Sequence, residues 1–274
     1  MENKTADVLP KTVRINRYIA MSGVASRRKA EELILGGEVE VNGTIVTDLA
    51  TKITPATDKV IVGGKRVQQE QQLVYIVMNK PNDYITTKSD ERDRRTVYDL
   101  LNTRERVFSV GRLDRKTTGV LLFTNDGDLA NCLMHPSHEV DKRYHVMLTE
   151  TLEAADIERI KKGVYIEGGR TSPAKVESIP GTKNRDILIT IHEGKNRQVR
   201  RMFEALGYEI QKLDRVEYAG ITADGLKRSA WRFLASDEIR KLKRRAGLLD
   251  DVELKSSPAD RQHPKKNRKR RDGR

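Results

Sequence analysis

Asp114 lies in residues 110–127, VGRLDRKTTGVLLFTNDG, with Arg112 just before it and Thr117, Thr118 and Gly119 following. A carboxylate between a basic residue and a glycine-containing turn, at the edge of an apolar segment, has the surroundings of a positioned nucleophile. Aspartate also favours turns for structural reasons alone, so turn capping is the competing reading. The segment that must position it is residues 120–123, VLLF, closed by Asn125-Asp126-Gly127. A short apolar run ended by turn formers is the pattern of an interior strand.

A second group with chemical potential is Lys195, Arg197, Arg200 and Arg201. Residues 198–206 read as a helix whose stripe is Val199, Met202, Phe203 and Leu206, which leaves the arginines on the other side. The loop Glu193-Gly194-Lys195-Asn196 precedes it, after an apolar strand at 187–191. A helix start bearing these cations suits a phosphate or a carboxylate. Cys132, His135 and His138 invite a metal reading, but Pro136 separates the histidines and no fourth ligand stands nearby. That spacing does not match a closed zinc site, so no metal is expected.

The third group is N-terminal. From Val13 the pattern is helical, with Ile15, Tyr18 and Ile19 on one face and Gly23 as a stop. Ser26 is placed to cap a second helix over 27–35, ended by Gly36-Gly37. Val39 and Val41 then alternate ahead of Asn42-Gly43, a strong hairpin signal, and Ile45-Val46 returns. Arg14, Arg17, Arg27, Arg28 and Lys29 lie on or before the two helices. A cationic cluster recurring on neighbouring helices points to RNA rather than to a merely solvated face.

These elements sit in a chain of 274 residues with 53 Lys and Arg against 40 Asp and Glu, a net charge of +13. The balance implies a polyanionic partner. No apolar stretch reaches membrane-spanning length and residues 1–14 contain no signal-peptide core, so no membrane role is expected. The single Cys132 fits a reducing cytoplasm, and the protein is read as a cytoplasmic monomer. Residues 1–11 and 246–274 read as disordered, and residues 68–72 as a polar linker between a unit at 12–67 and a larger one at 73–245. Within the tail, residues 261–274 hold eight basic side chains and one acidic, a net of +7, which leaves +6 for the first 260.

In the larger unit, strands are expected at 73–78, stopped by Pro81, at 108–114 and through Tyr144, Val146 and Leu148. Others are expected around Ile210 and Leu213, around Val216 and Tyr218, and at 231–234. Helices are expected at 96–101, 128–134, 152–162 and from a Ser236 cap to about Arg244.

RINRYIAMSGVASRRKAEELILGGEVEVNG, residues 14–43, resembles the small S4-type RNA-binding domain also found in a primary-binding ribosomal protein, a resemblance that covers Thr12 to about Ile61. GRLDRKTTGVLLFTNDGDLAN, KRYHV and EGKNRQVRRMFEALG, in that order, resemble the RNA pseudouridine synthases of the RsuA/RluB branch. Upstream, NKPNDYITT matches the first motif of that family, with Asn82-Asp83 in place of its more usual glycine-containing turn.

The resemblance implies an α+β fold: the S4-like domain followed by a mixed, largely antiparallel sheet flanked by helices. It implies conversion of uridine to pseudouridine in ribosomal RNA, with 23S rRNA favoured and 16S rRNA the second choice. No redox change occurs, so no cofactor is implied. Asp114 becomes the nucleophile and Arg200 its charge partner. Arg112 takes the place of the flipped-out base and Tyr144 stacks on that base. Tyr144 also reads as an ordinary core aromatic. The competing function is a non-catalytic RNA-binding or ribosome-assembly protein, which has no reason to assemble Asp114 with these companions.

Overall fold

The structure is a computed structural model that describes residues 12–68 and 72–249. The expectations of disorder at 1–11 and beyond 249, and most of the 68–72 linker, lie outside these residues.

The N-terminal unit is built on helices Ile15–Met21 and Arg27–Leu35. Ser26 caps the second, its side chain accepting the Lys29 N–H at 3.1 Å. Val13 and Arg14, expected in the first helix, instead pair as a short strand with Lys52–Ile53. A four-stranded sheet runs in the order Thr44–Ile45, Val39–Val41, Val60–Val62, Lys65–Val67. Asn42 and Gly43 both take positive φ (52° and 84°), as the two-residue hairpin requires. Ile15, Ile19, Ala30, Ile34, Val39 and Val60 are fully buried between helices and sheet.

The larger unit is one nine-stranded sheet with a core on each face. Its main path is Lys175–Ser178, Asp186–Ile191, Lys142–Leu148, Ile210–Tyr218, Thr117–Thr124, Tyr75–Lys80, Trp231–Phe233. Among the described residues, only the pairing of Ile210–Tyr218 with Thr117–Thr124 is parallel in this sheet. The expectation of a mixed, largely antiparallel sheet flanked by helices holds.

Residues 120–123 form a continuous apolar run because both faces are covered. Leu121 and Phe123 pack in the core that holds helix Gln198–Glu204. Val120 and Leu122 pack in the core that holds helices Gly127–Met134 and Ser236–Arg245.

Several boundaries differ from the sequence reading. Thr117, Thr118 and Gly119, read as a turn, already belong to the central strand. Gly119 has φ +102°, and a Cβ there would lie 2.2 Å from the Arg215 carbonyl, so the parallel crossing requires glycine. Residues 210–218 are one strand, with register shifts against Lys142–Leu148 that disturb the apolar alternation. Ser236 is the first helical residue rather than the cap, and the Glu238 carboxylate accepts the Ala235 N–H at 2.8 Å. Ala246, assigned to the tail, is buried under the sheet. The edge strand Lys175–Ser178 leaves no apolar signal in the sequence because it is polar apart from Val176.

Candidate active site

Asp114 sits half-buried on the short loop between strands Phe108–Val110 and Thr117–Thr124. Three side chains from the first motif hold that loop. Lys80 ends its strand with no exposed surface, and its Nζ donates to the carbonyls of Asp114 (3.1 Å), Thr117 (2.8 Å), Pro81 (3.1 Å) and Arg115 (3.3 Å). Thr86 Oγ1 donates to the Leu113 carbonyl at 2.9 Å and accepts from the Leu113 N–H at 3.3 Å. Asp83 accepts from Arg115 Nε at 2.6 Å.

Asp83 has φ 69°, the left-handed conformation a glycine would otherwise supply. The departure from the family's glycine-containing turn is thus accommodated by an aspartate that also holds Arg115. Burial drives the Lys80 ammonium down to about 8, with the Asp114 charge opposing that shift.

Asp114 opens on a cavity of about 950 Å³ that also meets Arg112, Tyr144, Lys195, Arg197 and Arg200. Six of the residues expected at a site therefore come together from four elements. Tyr144 is 8% exposed in the core and also lines the cavity.

Arg200 is half-buried and its Nη2 donates to the Lys116 carbonyl at 3.4 Å. Burial lowers its guanidinium below the usual arginine range, while the nearby Asp114 charge works the other way. No Arg200–Asp114 ion pair within 4.0 Å occurs among the described residues, so the expected pairing is not a direct contact.

Other expected cations are committed elsewhere. Lys195 Nζ donates to the Arg170 carbonyl at 2.7 Å, and Arg197 pairs with Glu204 at 3.1 Å. The helix they precede, Gln198–Glu204, has seven residues and starts on a left-handed Arg197 without a side-chain cap. The helix start expected to suit an anion thus faces the cavity with Lys195 and Arg197 already engaged by protein partners. Arg201 lies off the cavity, in an ion pair with Glu167 at 3.1 Å.

Arg14, Arg17 and Arg27 line a second cleft of about 1290 Å³, between the N-terminal unit and the sheet unit. Arg17 is engaged there by Asp128. Arg28 and Lys29 line neither space, and Lys29 pairs with Glu32 at 2.9 Å. Of the residues weighed for metal, His135 Nδ1 is bonded to Ser137 Oγ at 2.7 Å.

Sequence reasoning missed three charged residues: Lys142 and Arg215, which line the cavity, and Lys80, which is buried behind the Asp114 loop. In the sequence Lys80 reads only as the place where the strand at 73–78 runs into Pro81, although a lysine closing a buried strand before proline is a signal. Lys142 lies inside KRYHV; its Nζ donates to the His192 carbonyl at 3.2 Å and burial lowers it to about 8. Arg215 is 2% exposed in the strand Ile210–Tyr218.

The RNA pseudouridylate synthase model matches residues 74–205, and the S4 domain model matches residues 13–60. A ribosomal large subunit pseudouridine synthase B of Bacillus subtilis (strain 168) is 43% identical over 234 residues, spanning 84% of this chain and 95% of that relative.

The chain belongs to the RNA pseudouridylate synthase family.

A second relative, the ribosomal large subunit pseudouridine synthase B of Haemophilus influenzae, is 35% identical over 88% of this chain and 70% of its own length. A crystal structure of a pseudouridylate synthase superposes with a TM-score of 0.62 at 28% identity, covering 84% of this chain and 99% of that one. The family's fold and the cavity that Asp114 opens on thus occur in one polypeptide.

Proposed function

We propose that the protein isomerises uridine to pseudouridine in ribosomal RNA of the large subunit, in the cytoplasm, with Asp114 as nucleophile. The observation that carries this reading is the Asp114 loop, clamped by Lys80 and Thr86 and facing Tyr144 and Arg200 across one cavity. The choice of subunit is supported by the names of the two relatives above.

In this reading the flipped uridine enters the cavity and Tyr144 meets its base. The Asp114 carboxylate attacks C1′, and the electron pair of the C1′–N1 bond leaves with the base. The base turns, C5 attacks C1′ and the carboxylate departs. The C5 proton then leaves and N1 takes up a proton. Atoms and electrons balance without an oxidant or reductant. Arg200 favours the ionised carboxylate through its charge, and the clamp fixes the carboxylate's position before substrate arrives.

The test is pseudouridine mapping in 23S and 16S rRNA fragments incubated with wild type and Asp114→Asn. Wild type should modify a 23S fragment. The amide keeps size and loses the nucleophile, so turnover should fall on the order of 10³-fold or more with RNA affinity little changed. Retained turnover removes Asp114 from the role. Product on 16S alone reassigns the subunit, and no product from wild type on any fragment favours the non-catalytic RNA binder.

A further inference from the structure

Arg215 is the buried cation that the steps above do not use. Its strand places it opposite Tyr144 on one side and opposite Gly119 on the other, at the centre of the three strands behind the cavity. It is 2% exposed, yet it belongs to the cavity wall. Nε donates to the Val120 carbonyl at 2.7 Å, and the guanidinium carbon lies 4.7 Å from the centre of the Tyr218 ring. Nη2 is buried and has no hydrogen-bond partner. No carboxylate pairs with this arginine among the described residues.

A strap between two strands needs only the Nε hydrogen bond. It does not explain a full positive charge, with a spare donor, kept out of water beside the reacting groups. Lys80 offers the contrast, because four carbonyls take up its ammonium. Lys142, the neighbouring cation, is likewise spent on backbone carbonyls and on the Tyr218 ring face at 5.6 Å. Arg215 alone of these three keeps a buried donor unused.

Uracil presents two carbonyl oxygens. When C1′–N1 breaks, the base leaves as an anion whose charge spreads over N1, O2 and O4. A fixed cation in a water-poor wall is worth more against that anion than against the neutral base, which is the condition for lowering a barrier rather than only tightening binding.

Resting on the synthase reading above, we infer that Arg215 is a further catalytic residue: its free Nη2 donates to a carbonyl oxygen of the flipped uracil and holds the negative charge of the detached base. The bond between C1′ and N1 breaks heterolytically toward this charge, and the charge is discharged when C5 rejoins C1′ and the ring protons exchange.

The test is a double-mutant cycle between protein and substrate. The 23S fragment modified by wild type is prepared with uridine, 2-thiouridine or 4-thiouridine at the target. Single-turnover rates and RNA affinity are measured for wild type, Arg215→Met and Arg215→Lys. On the uridine RNA, Arg215→Met should lose about 100-fold in rate or more with affinity within a few-fold. Arg215→Lys, which keeps the charge without the fork, should fall between.

Sulfur is a poor acceptor. At the oxygen that Nη2 meets, the thio substitution and the Met variant should therefore be strongly non-additive, whereas a purely structural arginine gives additive losses with every RNA. Additive losses at both positions, or an unchanged rate on the uridine RNA, overturn the inference. If Arg215→Met does not fold by thermal melting, the cycle is run with Arg215→Lys, for which the same coupling decides. Absence of product from wild type on the uridine RNA is a different failure, that of the synthase reading itself.

Discussion

Lys80 carries a charge with no exposed surface, and its ammonium is pushed down from an ordinary value of 10.5 to about 8. Below about 8 both the folded and unfolded chains hold the proton, so the burial penalty is fully present. Between about 8 and 10.5 the unfolded chain holds more of it, so stability contributed at this site rises with pH across that window. Unfolding free energies of wild type and Lys80→Met, measured by urea from pH 7 to pH 10, should show their difference growing in favour of wild type above pH 8. A flat difference would mean that the four carbonyls stabilise the charge as well as water does.

Arg200 makes a different demand, since it lies near Asp114 without touching it. Arg200→Ala should lower the single-turnover rate by about 10²-fold while RNA affinity moves little, and Arg200→Lys should recover part of the rate. Equal losses in rate and affinity would identify Arg200 as a phosphate ligand.

At the scale of the element, the loop that carries Asp114 is held because the central strand and the strand Ile210–Tyr218 approach closely at Gly119. A methyl group there meets the Arg215 carbonyl in a conformation that side chains avoid. Gly119→Ala should therefore cost roughly 2–6 kcal/mol. Gly111 has φ +72° with open space around it, so Gly111→Ala should cost only about 1–2 kcal/mol from conformation. Urea midpoints compare the two, and equal losses would refute the close-approach argument.

The same element shows what was legible in the sequence. Residues 120–123 announced a buried strand because burial on both faces leaves an unbroken apolar run. The Ser26 cap and the Asn42-Gly43 hairpin were readable because their chemistry is local. Gly119 passes for a turn residue because its need for glycine comes from a strand nearly a hundred positions away. Lys80, Lys142 and Arg215 stay hidden for a related reason: a charged residue in an apolar strand has meaning only once its buried partners, or their absence, are known. The roles proposed for Asp114, Tyr144 and Arg200 came through motif resemblance, which carries long-range geometry that periodicity does not.

At the scale of the whole molecule the charge is unevenly placed, with +7 of the net +13 in residues 261–274. These residues include no Phe, Tyr or Trp to stack on bases. Basic charge of this kind attracts phosphate without regard to sequence. The N-terminal unit presents Arg14, Arg17 and Arg27 at fixed places, in a cleft shared with Lys88, Arg106 and Lys243 of the sheet unit. Cations fixed on two units can select the shape of a folded RNA. No helix among the described residues is long and apolar enough to cross a membrane.

Deleting residues 261–274 should therefore weaken RNA binding and flatten its salt dependence, by about 0.7–0.9 in the log–log slope for each phosphate that the tail had neutralised. The modified uridine should stay the same. Deleting residues 1–68 removes one wall of the cleft, and should reduce capture or choice of the correct site even at low salt, where phosphate attraction is strongest. Titrations of both truncations over a salt series, with the modified position mapped in each, separate the two contributions. A change of target nucleotide on removal of the tail would sink this division of labour, because it would require the tail to read sequence or shape.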